Sequence, residues 1–340
     1  MMPVLTIALD AMGGDLGPPI ILSGAIKALQ THPNLHIIAC GDAQTITGIT
    51  AELNSDIASR ITIHHCQDEI TMQDKPSFVL RHKKDASMRR VIELVKDNRA
   101  DACVSAGNTG ALFALASFIL RTLPGINRPA LITSLPTQAS HPVWLLDLGA
   151  NVSHDAETLF QNAVMGSVLV QHLTDIAKPS IALLNVGEEN NKGNAQVKLA
   201  NDLIAKTKSL NYIGYVEGTD IFTGKADVIV TDGFTGNVAL KTSEGIAKFL
   251  LNEIQRTAQS SWLHKVFSVI ALPVFRRLLK KMKADQYNGA SLIGLQGIVI
   301  KSHGNASANA VFHAIEQAIH EVEQQVPTKI KTTIENILLE

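Results

Sequence analysis

Three side chains in this chain combine a reactive type with a telling position. They are Lys192 in Gly187-Glu188-Glu189-Asn190-Asn191-Lys192-Gly193, Asn237 in Asp232-Gly233-Phe234-Thr235-Gly236-Asn237, and His303 in Ser302-His303-Gly304. A lysine in a glycine-rich loop offers a cation to an anion or a developing oxyanion. Asn237, at the start of a helical pattern, can donate its amide to an oxyanion or hold a phosphate, and is equally suited to capping the helix. His303 titrates near neutrality and can move a proton, although a loop histidine beside glycine is as often simply solvated. Together these groups suit phosphate as an oxygen nucleophile attacking an activated acyl carbon. That reaction needs positioning and oxyanion stabilisation more than a strong base.

Other chemistries lack their signatures. There is no GxxxxGK[ST] and no GxGxxG after a strand, which removes the usual signs of a nucleoside triphosphatase or a dinucleotide fold. There is no GxSxG elbow, and Cys40, Cys66 and Cys103 sit in no nucleophile motif. Cys103 reads as a buried structural thiol within a strand. His64-His65-Cys66 lacks further ligands at metal-binding spacing and reads as a strand end, so neither a metal nor a cofactor is expected.

The elements that must carry these residues follow one device, an apolar strand running into glycines and then a helix. Leu5 to Leu9 enters Asp10-Ala11-Met12-Gly13-Gly14-Asp15-Leu16-Gly17-Pro18, with helical spacing from Ile20 to Leu29. Ala102 to Ser105 enters Gly107-Asn108-Thr109-Gly110 before the helix Ala111 to Arg121. Val143 to Leu148 enters Gly149-Ala150-Asn151, with Ser153 or Asp155 available to cap a helix through Leu169. Ile181 to Val186 precedes the Lys192 loop and a helix from about Ala195. The run from Val228 precedes the Asn237 loop, and Gly297 to Lys301 precedes the His303 loop and a helix from Ala308 to Val322. Alternation of this kind predicts a mostly parallel sheet covered on both faces, with the glycine loops on one rim converging on one cleft. Unpaired helix N–H groups aimed into that cleft suit a phosphate-type ligand.

At 340 residues and 46% hydrophobic content, with no obvious linker, residues 1–340 read as one large α/β domain. Three cysteines without paired spacing fit a reducing cytoplasm, and the N-terminus carries no signal-peptide pattern. The net charge of −1 conceals a basic stretch from Trp262 to Asp285, where six Lys or Arg face one carboxylate. Leu263, Val266, Phe267 and Ile270 keep helical spacing, Pro273 interrupts, and Phe275, Leu278, Leu279 and Met282 resume it with Lys280 among the cations opposite. Residues 256–286 therefore read either as a protruding amphipathic tip on an anionic membrane surface or as helices at a subunit interface. No stretch is long and apolar enough to span a bilayer. A second basic run, Arg81-His82-Lys83-Lys84 with Arg89-Arg90, reads as a solvated face whose sign suits an acidic partner.

Eight motifs in order, ALDAMGGDLGP, HKKDASM, VSAGNTGAL, LLDLGANV, LLNVGEENNKGN, YVEGTD, VTDGFTGNVALK and VIKSHG, resemble the bacterial phosphate acyltransferase (PlsX) family. The resemblance implies transfer of a long-chain fatty acyl group from acyl carrier protein to inorganic phosphate, giving acyl phosphate for phospholipid synthesis. It implies an α/β/α sandwich akin to isopropylmalate dehydrogenases and phosphotransacetylases, and a cytoplasmic homodimer attached peripherally to the membrane by its tip. The membrane glycerol-3-phosphate acyltransferase would consume the product, and no nucleic acid is involved. It places Lys192 and Asn237 at catalytic positions, and Asp10, Gly13, Gly14, Asn108, Thr109, Asn151, Asp232, Thr235, Gly236 and His303 around the same cleft.

Alternatives are a coenzyme A-dependent phosphotransacetylase of the same chemistry, a decarboxylating dehydrogenase, for which no metal-binding carboxylate cluster is evident, and a non-catalytic scaffold recruiting carrier protein to membranes. If the basic stretch is a membrane anchor, replacing Phe275 and Leu279 by Ser lowers cosedimentation with anionic liposomes; unchanged cosedimentation refutes it.

Overall fold

All six strand-to-glycine junctions read from the sequence are present in the computed structural model, which describes residues 4–260 and 288–339. The first half runs β1 (Leu5–Asp10), α1 (Pro18–Thr31), β2 (Leu35–Gly41), α2 (Ala43–Thr50), α3 (Ser55–Ser59), β3 (Ile61–His65), α4 (Pro76–His82), α5 (Ser87–Lys96), β4 (Ala102–Ser105) and α6 (Thr109–Ile119). Then come β5 (Ala130–Leu135), β6 (Val143–Leu146), α7 (Ala156–Leu173), β7 (Ser180–Leu184), α8 (Ala195–Lys206), β8 (Asn211–Val216), β9 (Val228–Val230) and α9 (Gly233–Gln259). After the undescribed stretch follow β10 (Ala290–Ile293), β11 (Ile298–Lys301), α10 (Ala308–Glu323) and α11 (Val326–Leu339). The predicted tip residues Leu263, Phe267, Ile270, Phe275, Leu279 and Lys280 lie outside the described residues.

The described strands form one 11-stranded sheet in the order β3-β2-β1-β4-β11-β10-β5-β6-β9-β7-β8. Helices cover both of its faces, which is the expected three-layer α/β/α architecture. On one face α5 and α6 pack Val91, Ile92, Leu112 and Leu115 against Cys103, Val299 and Leu145. On the other, α1 and α10 cover Ile7, Ile37 and Ile300, while α7, α8 and α11 cover Ile132, Leu146, Ile181 and Val228. Short polar side chains start the helices: Asp42, Asn54, Asn108, Asp155, Asn194, Asp232 and Ser307 each accept an N–H from the first turn. Asp155, rather than Ser153, caps α7.

The single-rim expectation fails. β6 is antiparallel to β5, and β10 is antiparallel to both of its neighbours, so β6, β7, β8 and β9 run opposite to β1, β4, β5 and β11. The loops after β1, β4 and β11 therefore open on one rim, and those after β6, β7 and β9 on the other. The cause is the seven-residue connection between β5 and β6, too short for the crossover a parallel return requires. α9, with 27 residues, spans about 40 Å and carries the chain from the second rim back across the first face.

Glu321 on α10 is buried and accepts hydrogen bonds from the Ser291 hydroxyl and from Gln317 Nε2. Burial outweighs these donors and pushes its carboxyl up to about 7. The native state then holds more protons than the unfolded chain between about pH 4.5 and 7. The stability contributed by the protonated carboxyl is complete below 4.5 and is lost as pH rises through 7. Glu321→Gln should gain on wild type by on the order of 3 kcal/mol between pH 4.5 and pH 8 in denaturant titrations. A difference independent of pH contradicts this.

Candidate active site

The first turn of α9 lies directly against the loop after β6. An added Cβ on Gly233 would collide with the Asn151 carbonyl and one on Gly236 with the Asp147 carbonyl, so only glycine lets the two backbones approach this closely. The loop itself is organised by Asp147, whose fully buried carboxylate accepts N–H bonds from Leu131 (3.0 Å), Gly149 (3.2 Å), Ala150 (2.9 Å) and Asn151 (2.8 Å). Asn151 Nδ2 also reaches it at 3.2 Å, and buried His154 Nε2 lies 3.3 Å away. Gly149 is thereby held against Asn237.

Between α9 and the central strands lies a cavity of about 740 Å³, within the usual size range for small-molecule sites. Leu131, Leu135, Leu148, Phe222, Leu240 and Leu250 give it mostly apolar walls. Asn237 and Gly149 line the part near the second rim; Lys301, Ser302, His303 and Asn288 line the part near the first, with Thr109 at the start of α6. Asn237, Lys241 and Glu244 follow at i, i+4 and i+7, so one face of α9 presents all three to the cavity. Loops of opposite rims thus meet on the face of the sheet, beneath one helix.

Of the predicted site residues, the cavity gathers Thr109, Asn237 and His303. Asp232 caps α9, accepting from Thr235 N at 2.9 Å and Thr235 Oγ1 at 2.8 Å, and this releases Asn237 from the capping role. Asn108 is committed to structure: its Oδ1 caps α6 and its Nδ2 donates to the carbonyls of Thr71, Met72 and Asp74. Asn151 is tied to Asp147 and to the Pro129 carbonyl. Asp10, 1% exposed, accepts the hydroxyls of Ser87 and Ser105 at 2.6 Å, and burial raises its pKa against those donors. Gly13 packs on the Asp10 carboxylate, and Gly14, at φ +90°, on the Gly304 carbonyl. Lys192 is exposed on the loop after β7 and does not line the cavity.

His303 donates its backbone N–H to Asn288 Oδ1 (3.0 Å), and its Nε2 lies 3.5 Å from Glu244 Oε1. Burial, together with Lys241, Lys301 and Lys248, lowers its pKa against the pull of Glu244. His65 Nδ1 accepts from Ala43 N, consistent with a strand end. Among the described residues no group of three His, Cys, Asp or Glu side chains is arranged to hold a metal ion.

A model of the family described as "Fatty acid synthesis protein" matches residues 5–329. Proteins called phosphate acyltransferase in Pseudoalteromonas atlantica and Colwellia psychrerythraea are 56% and 52% identical, covering 99% and 98% of this chain and 98% and 97% of their own. The chain belongs to the phosphate acyltransferase (PlsX) family. The resemblance carried by the eight motifs holds, and with it the coarse activity, acyl transfer within fatty acid and phospholipid synthesis. A solved phosphotransacetylase from Streptococcus pyogenes superimposes with a TM-score of 0.64 at 19% identity, covering 94% of both chains, which establishes the shared fold.

Sequence reasoning missed Asp147, Lys241, Glu244 and Lys301. Val299 faces the first core and the period of two in β11 puts Lys301 on the same face, but its enclosure depends on α9 and the neighbouring strand. Lys241 and Glu244 follow Asn237 at helical spacing, but their role depends on which face of α9 covers the sheet. Gly236→Ala is expected to destabilise the protein by about 1–3 kcal/mol, because the helix must move off the Asp147 carbonyl, and to reduce turnover by displacing Asn237. A variant with wild-type melting temperature and activity would contradict this close approach.

Proposed function

We propose that this acyltransferase moves a long-chain fatty acyl group from acyl carrier protein to inorganic phosphate, releasing acyl phosphate and the carrier thiol. The observation that supports this most directly is a single cavity with apolar walls and a polar, cationic end, lined by Asn237. The apolar walls suit a hydrocarbon chain better than an acetyl group, which favours the carrier-protein reading over a short-chain phosphotransacetylase. In the reaction the phosphate oxygen attacks the thioester carbonyl, the C–O bond forms, and the tetrahedral oxyanion collapses with loss of thiolate, which takes up a proton. Asn237 donates its amide to that oxyanion. Lys192, exposed on the loop after β7, stabilises the same charge only if the loop closes over bound substrate.

An acidic carrier would find cations beside the cavity. Pro76 at the start of α4 packs against Gly110 at the start of α6, and Arg81 and Lys84 of the same segment are exposed. Arg89 and Arg90 are already paired with Glu93 and Asp85, which narrows the docking surface read from the sequence. Phe234, Val238 and Phe249 leave an apolar strip exposed along one side of α9, which supports the homodimer reading. Among the described residues no helix is long and apolar enough to cross a membrane; attachment to the cytoplasmic face and delivery to the membrane glycerol-3-phosphate acyltransferase are assigned to the amphipathic, basic pattern of residues 256–286.

Incubation with palmitoyl carrier protein and phosphate, followed by hydroxylamine trapping, should yield palmitoyl hydroxamate, with acetyl-coenzyme A a poor donor. Asn237→Ala should lower kcat by roughly 100-fold, as for loss of an oxyanion donor, and Lys192→Ala should also reduce it. No acyl phosphate from any donor refutes the reading, and full activity in Lys192→Ala removes that residue from the mechanism.

A further inference from the structure

Lys301 ends β11 with its side chain on the cavity face of the sheet and is only 8% exposed. Its Nζ donates to the Ser302 carbonyl and, at 3.4 Å, to the Ala106 carbonyl, and among the described residues no carboxylate pairs with it. A buried ammonium without a counter-ion is costly unless a ligand supplies the charge. The surrounding loop is tied down by hydrogen bonds. Asn288 Nδ2 holds Ser302 Oγ (2.8 Å) and the Ala310 carbonyl (2.6 Å), its Oδ1 takes the His303 N–H, and Ser302 N donates to the Ser105 carbonyl (2.9 Å).

The charge around it is unbalanced. The titratable groups lining the cavity among the described residues are Lys241, Glu244, Lys301 and His303, two lysines against one carboxylate. Glu244 is itself engaged by Lys241 Nζ at 2.9 Å and by His303. From the neighbouring elements, Asp10 at the end of β1 and Asp15 in the loop after it draw Lys301 toward its charged form, while Lys241 on α9 opposes it. Lys248 adds to the positive field at His303.

We propose that Lys301 is the principal binding group for the phosphate nucleophile, holding it at the cationic end of the cavity within reach of the acyl carbon presented near Asn237. This rests on the acyl-transfer reading above and adds a residue to it. A dianion bound there neutralises Lys301 and relieves the repulsion among Lys301, Lys241 and His303. Ser302 and its neighbours fix the loop, so the ammonium is aimed before phosphate arrives. Burial, reinforced by Lys241, lowers the Lys301 pKa to about 8. The phosphate-binding form is therefore present below that pH and is lost above it.

The test is steady-state kinetics on the full chain with palmitoyl carrier protein and inorganic phosphate, comparing wild type with Lys301→Met and Lys301→Arg. Lys301→Met should raise KM for phosphate by about 100-fold, as expected for loss of a charged hydrogen bond, with a far smaller change in kcat and in KM for the donor. It should melt no lower than wild type, because it removes an unpaired buried charge. For wild type, kcat/KM for phosphate should fall about tenfold per pH unit above pH 8, and Lys301→Arg should abolish that fall. An unchanged phosphate KM in Lys301→Met overturns the proposal, as does a rise confined to the donor KM, which would mean that the site holds a phosphate carried by the donor. If Lys301→Met fails to fold, an identical pH profile in wild type and Lys301→Arg overturns it instead. A wild type that makes no acyl phosphate refutes the acyl-transfer reading; an active wild type with an indifferent Lys301→Met refutes only this assignment.

Discussion

The site depends on one close approach, the backbone of the first turn of α9 resting on the loop that Asp147 organises. Four main-chain N–H groups converge on the Asp147 carboxylate, so the loop keeps its shape without a ligand. Gly233 and Gly236 let the helix settle on it. From that anchor α9 runs across the face of the sheet, and everything it brings to the cavity, Asn237, Lys241 and Glu244, inherits its position. Buried hydrogen-bonded carboxylates of this kind act as fasteners: removing the partner would leave several donors unsatisfied in a dry interior.

That arrangement also explains how a sheet with two carboxyl rims builds one site. In a wholly parallel sheet the loops would meet at the strand ends. Here the β5–β6 reversal sends half of them to the opposite edge, and a long helix compensates by roofing the central strands. The cavity is bounded by side chains of β5, β10 and β11 below and α9 above, so hydrocarbon walls and a cationic end lie in one continuous space. An acyl chain and a phosphate ask for opposite environments, and this geometry offers both within a short reach.

The six strands that run into glycine loops, the helices after them and the family were legible in the sequence because they rest on local patterns: β-branched runs, glycine turns and Asx caps; β2, β5, β8 and β10 carry no such loop and were not read. Strand direction was not, because it depends on whether a connection is a hairpin or a crossover. The segment from Pro136 to Pro142 carried that information in its short length, between two apolar runs. Asn237 and His303, singled out because they stand beside glycines, both line the cavity. Lys301 was passed over because a lysine closing an apolar strand looks like a solvated end until the neighbouring strand and α9 are seen to enclose it. Asn108 and Asn151, expected around the cleft, spend their amides on main-chain carbonyls that only the tertiary fold brings near.

The central claim is that phosphate binds inside the cavity beneath α9. Crystals soaked in arsenate, which mimics phosphate and scatters anomalously, locate the anion directly. The account predicts one anomalous peak between Lys301 and Asn237 in the cavity. A peak on the exposed Lys192 loop with the cavity vacant, in an enzyme active with phosphate, would contradict it.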